Sequence, residues 1–200
     1  MKKHTEELIL DAAKEVFHHK GMSGARMQEI ADKAGINKAM LHYYYRNKQQ
    51  LFEAVFKSAI QLMVPKITDI LTKEVSLFDK IRHFTNIYIS FLQKHSFMPL
   101  FIINEISRNP NLLKDIFRDK MDEGVKNKLV NQVNELIEKG EIRPIQPEQL
   151  LLNVMSLSIF PIIGESLFKT ILQQDNKAYK QLIEQHKVYV SEFIINAIKR

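Results

Sequence analysis

Residues 25–48 read ARMQEIADKAGINKAMLHYYYRNK, and the fold turns on how they are read. Met27, Ile30, Ala31 and Ala34 recur at one-turn spacing and define a short helix with one apolar side. Gly35 then takes a backbone conformation that costs a residue with a β-carbon about 1–2 kcal/mol. Asn37 is suited to cap a second short helix, whose buried side takes Leu41 and Tyr44 or Tyr45. Ala31 is small enough for the helices to cross closely, and Ile36 fills the corner between them. This is the logic of a helix-turn-helix, whose second helix enters the major groove. The outward edge of that helix shows Lys38, Ala39, His42 and Tyr43: a cation, a small residue and two hydrogen-bonding rings. A two-helix corner with a glycine is, on its own, more often structural than DNA-reading, so the flanks matter.

Upstream, Leu8, Ile9, Ala12, Ala13, Val16 and Phe17 form one apolar stripe. Glu6 and Glu7 suit the positive end of a helix dipole. His18, His19 and Lys20 close the helix, with Gly21 as a left-handed cap. His18 and His19 are adjacent and do not share a helix face, so the pair reads as a solvated last turn rather than a metal site. Downstream, Asn47 and Gln50 form a capping box before Leu51, Phe52, Val55, Phe56, Ala59, Ile60 and Met63, and Pro65 is expected to end that helix. Charge follows the same boundary. Residues 1–50 hold nine Lys and Arg against six acids, and no acid lies between Lys33 and Phe52. A basic, acid-free stretch suits contact with nucleic acid.

The spaced set Ala12-Ala13, Phe17, Gly21, Ile30-Ala31, Ala34-Gly35-Ile36, Leu41 to Tyr45, Asn47-Lys48 and Leu51-Phe52 carries a resemblance. The segment from Leu8 to Phe56 resembles the DNA-binding domain of the TetR family of bacterial transcriptional regulators. The resemblance implies an all-α fold in two domains. Residues 1–47 would form the helix-turn-helix domain, with the start of helix four to about 56. Residues 48–200 would form a helical effector-binding and dimerisation domain. By position, Arg26, Gln28, Asn37, Lys38, Ala39, Met40, His42, Tyr43, Tyr44 and Lys48 would face DNA. Gln28 and Lys38 would read bases or backbone, Ala39 and Met40 would touch thymine methyls, and Lys48 would anchor a phosphate. The sequence departs from the family pattern at three places. Arg26 replaces the usual Ser or Thr cap of helix two, His42 replaces a Tyr, and Tyr45 fills a slot usually held by Phe.

The rest of the chain continues in helices. Ser76 with Asp79 opens one that carries Leu77, Ile81, Phe84, Tyr88, Phe91 and Leu92. A short helix is expected around residues 101–106 and a long one from Leu113 to Gly140. Two more span about 148–172 and 177–199, the first bent by Pro161 and Gly164. No strand is expected. With 6 Gly and 6 Pro in 200 residues, turns are few, which excludes sandwiches and Gly-rich nucleotide folds. The chain has no Cys, which removes thiol catalysis and Cys-ligated zinc. No His-Glu-x-x-His, Gly-x-Ser-x-Gly or P-loop pattern occurs, so neither an enzyme nor a cofactor is expected. No stretch suits a signal peptide or a membrane span, and a cytoplasmic protein is expected.

An effector pocket, if mostly apolar, would draw on Tyr88, Phe91, Met98, Phe101, Ile102, Phe117, Met121 and Met155, with Tyr88, Asn104 or Asn153 as polar handles. Its ligand would be a small hydrophobic or amphipathic molecule. The last two helices carry apolar residues beyond one face, and Leu157, Ile162, Tyr179, Ile183, His186, Val190, Phe193 and Ile194 are the candidate homodimer contacts. The expected activity is that of a ligand-responsive repressor, binding pseudo-palindromic operator DNA as a homodimer. The competing reading is a helical protein–protein adaptor without specific DNA binding.

Overall fold

The computed structural model describes residues 2–96, 98–99 and 123–200. Among these, nine helices and no strand occur. They are α1 (Lys2–Gly24), α2 (Met27–Lys33), α3 (Lys38–Tyr44), α4 (Lys48–Thr72), α5 (Leu77–Lys94), α6 (Glu123–Glu138), α7 (Pro147–Ile163), α8 (Glu165–Ile171) and α9 (Asn176–Ile198). The fold is all-α, as the sequence implies. A small head of α1–α3 packs on the first turns of α4, and a helical body is built on the rest.

One apolar core runs through both parts, because α4 belongs to both. Its near end buries Leu51, Phe52, Val55 and Phe56, and its far end buries Ile67, Ile70 and Leu71. In the head, Ile9, Ala13, Phe17, Ile30 and Leu41 have no measurable exposure. Phe17 and Phe52 meet edge-on with ring centroids 4.6 Å apart, an arrangement that aromatic quadrupoles favour. In the body, α5 packs against α4, α7 and α9. Lys80 is 6% exposed, and its ammonium donates to the Leu71 carbonyl at 2.9 Å, tying α5 to the C-terminal end of α4. Burial lowers its pKa from the usual value.

Four sequence expectations need correction. Pro65 does not end helix four, which continues to Thr72. A proline within a helix leaves the carbonyl four residues back without its bond. Here Gln61 and Pro65 are both exposed, so water can reach that carbonyl while the opposite face stays packed. Gly21 has φ 64° but ψ −179°. It therefore interrupts α1 in a region open essentially to glycine alone, and a further turn to Gly24 follows. His18 is half-buried rather than solvated. Its Nδ1 is buried with no hydrogen-bond partner, and desolvation, then the neighbouring His19, lowers its pKa. The helix expected over about 148–172 is two helices, α7 and α8, which meet at Gly164 with a bend of 74°. Pro161 lies within α7 and does not stop it.

Several predicted ends are found. Ser76 Oγ accepts from Asp79 N at 3.0 Å, and Asn47 Oδ1 accepts from Gln50 N at 2.9 Å. At Gly140, with φ 70°, Gly140 N donates to Ile137 O and Glu141 N to Leu136 O, both at 3.0 Å. That is a Schellman ending. No single helix among the described residues is long and apolar enough to cross a membrane.

Candidate nucleic-acid interface

The helix-turn-helix is assembled by local hydrogen bonds that its own sequence supplies. After α2, Ile36 N donates to Ala31 O at 3.0 Å and Gly35 N to Asp32 O at 3.2 Å. These two bonds make a Schellman motif with Gly35, at φ 69°, in its left-handed position. Ile36 is half-buried against the core, at the corner where the sequence places it. Asn37 Oδ1 then accepts from Met40 N at 2.7 Å and opens α3. Arg26 caps α2 by position but makes no side-chain cap bond, as its replacement of Ser or Thr implies.

Leu41 anchors α3, with no measurable exposure. The opposite edge is open: Lys38, Ala39 and His42 are exposed, Met40 is 39% exposed and Tyr43 is 72% exposed. The three tyrosines divide by depth. Tyr45 is 8% exposed, and its hydroxyl donates to Glu6 Oε1 at 3.1 Å. Burial, then the Glu6 carboxylate, pushes its pKa well above the usual tyrosine value. Tyr44 is half-buried against the core, with Tyr43 edge-on to it at 5.6 Å. Tyr44 thus supports the open edge more than it belongs to it. His42 Nδ1 lies 3.1 Å from the Arg46 carbonyl oxygen. A carbonyl only accepts, so in this contact Nδ1 is the donor.

Charge in the head is sorted by side. Lys14, Lys20 and Lys33 pair with Asp11, Glu29 and Glu15 at 2.9, 2.6 and 2.7 Å. Arg26, Lys38 and Arg46 are exposed and have no ion pair among the described residues. The acids of α1 and α2 therefore neutralise cations away from α3, and the open edge keeps its positive charge. Gln28, also exposed, donates to Asp32 Oδ1 at 2.7 Å.

Lys48 has a structural role that the sequence did not show. Its ammonium donates to Ala25 O at 2.9 Å and Ser23 O at 3.2 Å, so it closes the α1–α2 connection onto α4. Lys48→Met should therefore cost about 1 kcal/mol of stability, since water can replace part of each charged hydrogen bond. Urea unfolding checks this. An unchanged midpoint would mean that the clasp contributes nothing.

The effector candidates scatter. Met98 has no measurable exposure, and Tyr88 is 6% exposed in the core, where burial pushes its pKa up to about 12. Met155 is 38% exposed on α7 and does not line an interior cavity, so its assignment to an effector pocket is not supported by its position. Phe91 alone lines an open cleft, of about 290 Å³, between α4 and α5. Phe101, Ile102, Asn104, Phe117 and Met121 lie outside the described residues.

The dimer candidates divide too. Leu157 and Phe193 are 37% and 66% exposed, but Tyr179, Ile183, Val190 and Ile194 are buried in the chain's own core. Ile162 and His186 are intermediate, and His186 Nε2 lies 2.9 Å from the Leu157 carbonyl oxygen. Of the candidates on α9, Phe193 lies outside, while Tyr179, Ile183, Val190 and Ile194 lie on the inner face. Leu182, Tyr189 and Phe193 are exposed on the outer side of α9, where Leu182 shares a groove with Phe160, Phe168 and Leu172 of the α7–α8 region and Phe193 shares one with Leu157. Asn153 is on this side as well, in a groove of about 480 Å³ that Phe193 also lines.

Comparison with known proteins agrees with this geometry. Residues 9–55, the head and the start of α4, match the model of the family described as bacterial regulatory proteins, tetR family. The chain is 24% identical to the HTH-type transcriptional regulator YttP of Bacillus subtilis (strain 168), over 95% of this chain and 94% of that one. It is 22% identical to RutR, an HTH-type transcriptional regulator of Escherichia coli (strain K12), over 73% of this chain and 68% of that one. Among solved structures, the ketosteroid transcriptional regulator KstR2 of Mycobacterium tuberculosis superimposes with a TM-score of 0.66 at 14% identity, covering 98% and 95% of the two chains. Residues 9–55 thus carry the DNA-binding head of the tetR family of bacterial regulatory proteins, and the chain as a whole is similar to transcriptional regulators of that family.

Proposed function

We propose that this regulator is a ligand-responsive repressor that binds a pseudo-palindromic operator as a homodimer. The observation that carries the DNA-reading part is the outward edge of α3. It is exposed, acid-free and flanked by unpaired Lys38 and Arg46, on a helix fixed by Asn37 and Leu41. Lys38, His42 and Tyr43 would read or border bases, Ala39 and Met40 would meet thymine methyls, and Arg26 and Arg46 would sit on phosphates. Lys48 would act through the backbone it holds.

The homodimer reading rests on the bare apolar face of α7, α8 and α9. Val188, Tyr189 and Phe193 are 64%, 70% and 66% exposed in the single chain. Leu182 and Phe193 border apolar grooves shared with Phe160 and Leu157 of α7; exposed apolar surface of this kind marks an interaction site, and a two-fold pairing lets one face cover its own copy. Two heads would then address two half-sites on one side of the duplex. An effector switches such a dimer only through different affinity for its two states, so operator and effector must weaken each other by the same factor.

Selection of bound DNA from a random pool tests the reading. The expected product is an inverted repeat. Phe193→Asp, which puts a charge on the bare face, should halve the mass in solution and yield single half-sites. A pool without enriched sequence overturns the operator reading.

A further inference from the structure

The cleft between α4 and α5 combines apolar walls with two lysines at its rim. Its walls are Leu62, Met63, Ile87 and Phe91, and its rim carries Lys66 from α4 and Lys94 from α5. Asn86 and Ser90 stand on the same side of α5 as Lys94, at successive four-residue steps. That spacing aligns a polar strip beside an apolar one. Neither lysine has a hydrogen bond or ion pair among the described residues. No aspartate or glutamate is among the described residues that line the cleft. The nearby acid of α4, Asp69, is already paired with Lys73 at 2.7 Å. Leu62 is 59% exposed beside these charges. Among the described residues, an apolar slot of about 290 Å³ thus has two cations at its mouth and no acid to pair with them.

We infer that this cleft takes a small molecule with an apolar body and one anionic head group, a carboxylate or a phosphate. The body lies on Leu62, Met63, Ile87 and Phe91, and the head group lies between Lys66 and Lys94. His95, at the end of the cleft, is held near pKa 4, chiefly by burial and then by His18, Lys14 and Lys94. It is therefore neutral at pH 7, and the positive charge of the cleft is that of the two lysines.

The place of the cleft gives the occupant a route to the head. Leu62, Met63 and Lys66 flank Pro65, where α4 lacks one backbone hydrogen bond. A helix bends most readily at such a point, and α4 continues from there into the head. Regulation by this occupant rests on the effector-responsive reading above, while the site itself does not.

Calorimetric titration with decanoate, decyl phosphate and 1-decanol, each below its aggregation concentration, tests the site. At least one anion should bind saturably and tenfold or more tighter than the alcohol, and the tighter anion identifies the head group. The double variant Lys66→Gln, Lys94→Gln should bring the anions down to the affinity of the alcohol. Leu62→Glu, at an exposed position that folding does not need, should abolish anion binding. Equal binding of anion and alcohol, or an anion preference that survives the double variant, overturns the inference. Adding the tighter anion to the complex with selected DNA separates the two readings. Binding without any change in DNA affinity keeps the site and overturns its role as an effector site. Release of DNA by another compound, with no anion binding, overturns the site and keeps the switch.

Discussion

Phe52→Ala is expected to cost about 3–5 kcal/mol of stability, the range for emptying a buried aromatic site. Phe52 is 1% exposed and faces Phe17 edge-on at 4.6 Å, where α1 meets the first turns of α4. Removing its ring forfeits the transfer energy of the side chain and leaves a void that two helices must close. Domains of this kind hold only about 5–15 kcal/mol in all, so the loss reaches far into that margin. Urea unfolding followed by circular dichroism would show the midpoint fall, and DNA retention would fall with it. Tyr43→Ala provides the contrast. Tyr43 is 72% exposed, so its removal should change stability by no more than about 0.5 kcal/mol while altering which DNA sequences are retained. A Phe52→Ala midpoint equal to that of the parent chain would mean that the head is not packed on α4 as described.

Affinity for operator DNA should fall about a thousandfold between 50 and 200 mM salt, for a dimer making about six phosphate contacts. Arg26, Lys38 and Arg46 are the exposed, unpaired cations around α3, and two copies supply six. Each contact displaces condensed counterion from the duplex, so the logarithm of the binding constant should fall with a slope of about −5 against the logarithm of salt. Arg46→Gln should reduce that slope by about 2, one contact for each head. Lys48→Met should leave the slope almost unchanged, because that ammonium is occupied by the Ser23 and Ala25 carbonyls. Fluorescence anisotropy over a salt series measures all three. A flat series would favour the protein–protein adaptor reading.

The sequence by itself determined those features whose cause is local. Gly35 marks a Schellman ending because only its backbone takes φ 69° without strain. Asn37, Asn47 and Ser76 open helices because each side chain reaches an amide three residues on. The apolar spacing of α1–α3 leaves one buried side and, by subtraction, one outward edge. Tyr43 outside follows from that rotation about α3, whereas the choice of Tyr45 over Tyr44 as the buried ring came with its packing beside Glu6.

Tertiary structure decided whatever depends on a partner distant in sequence. Pro65 could be tolerated because its side of α4 faces water while the other side stays packed. Lys48 gained two carbonyl partners, Ser23 and Ala25, that only folding brings within reach. The inner and outer faces of α9 are both apolar, so periodicity alone could not choose between them. Packing against α5 and α7 assigned Ile183, Val190 and Ile194 to the core and left Tyr189 and Phe193 bare. The same holds for the α4–α5 cleft: Lys66 and Lys94 are 28 positions apart in the chain, and only the crossing of two helices sets both charges beside one apolar slot.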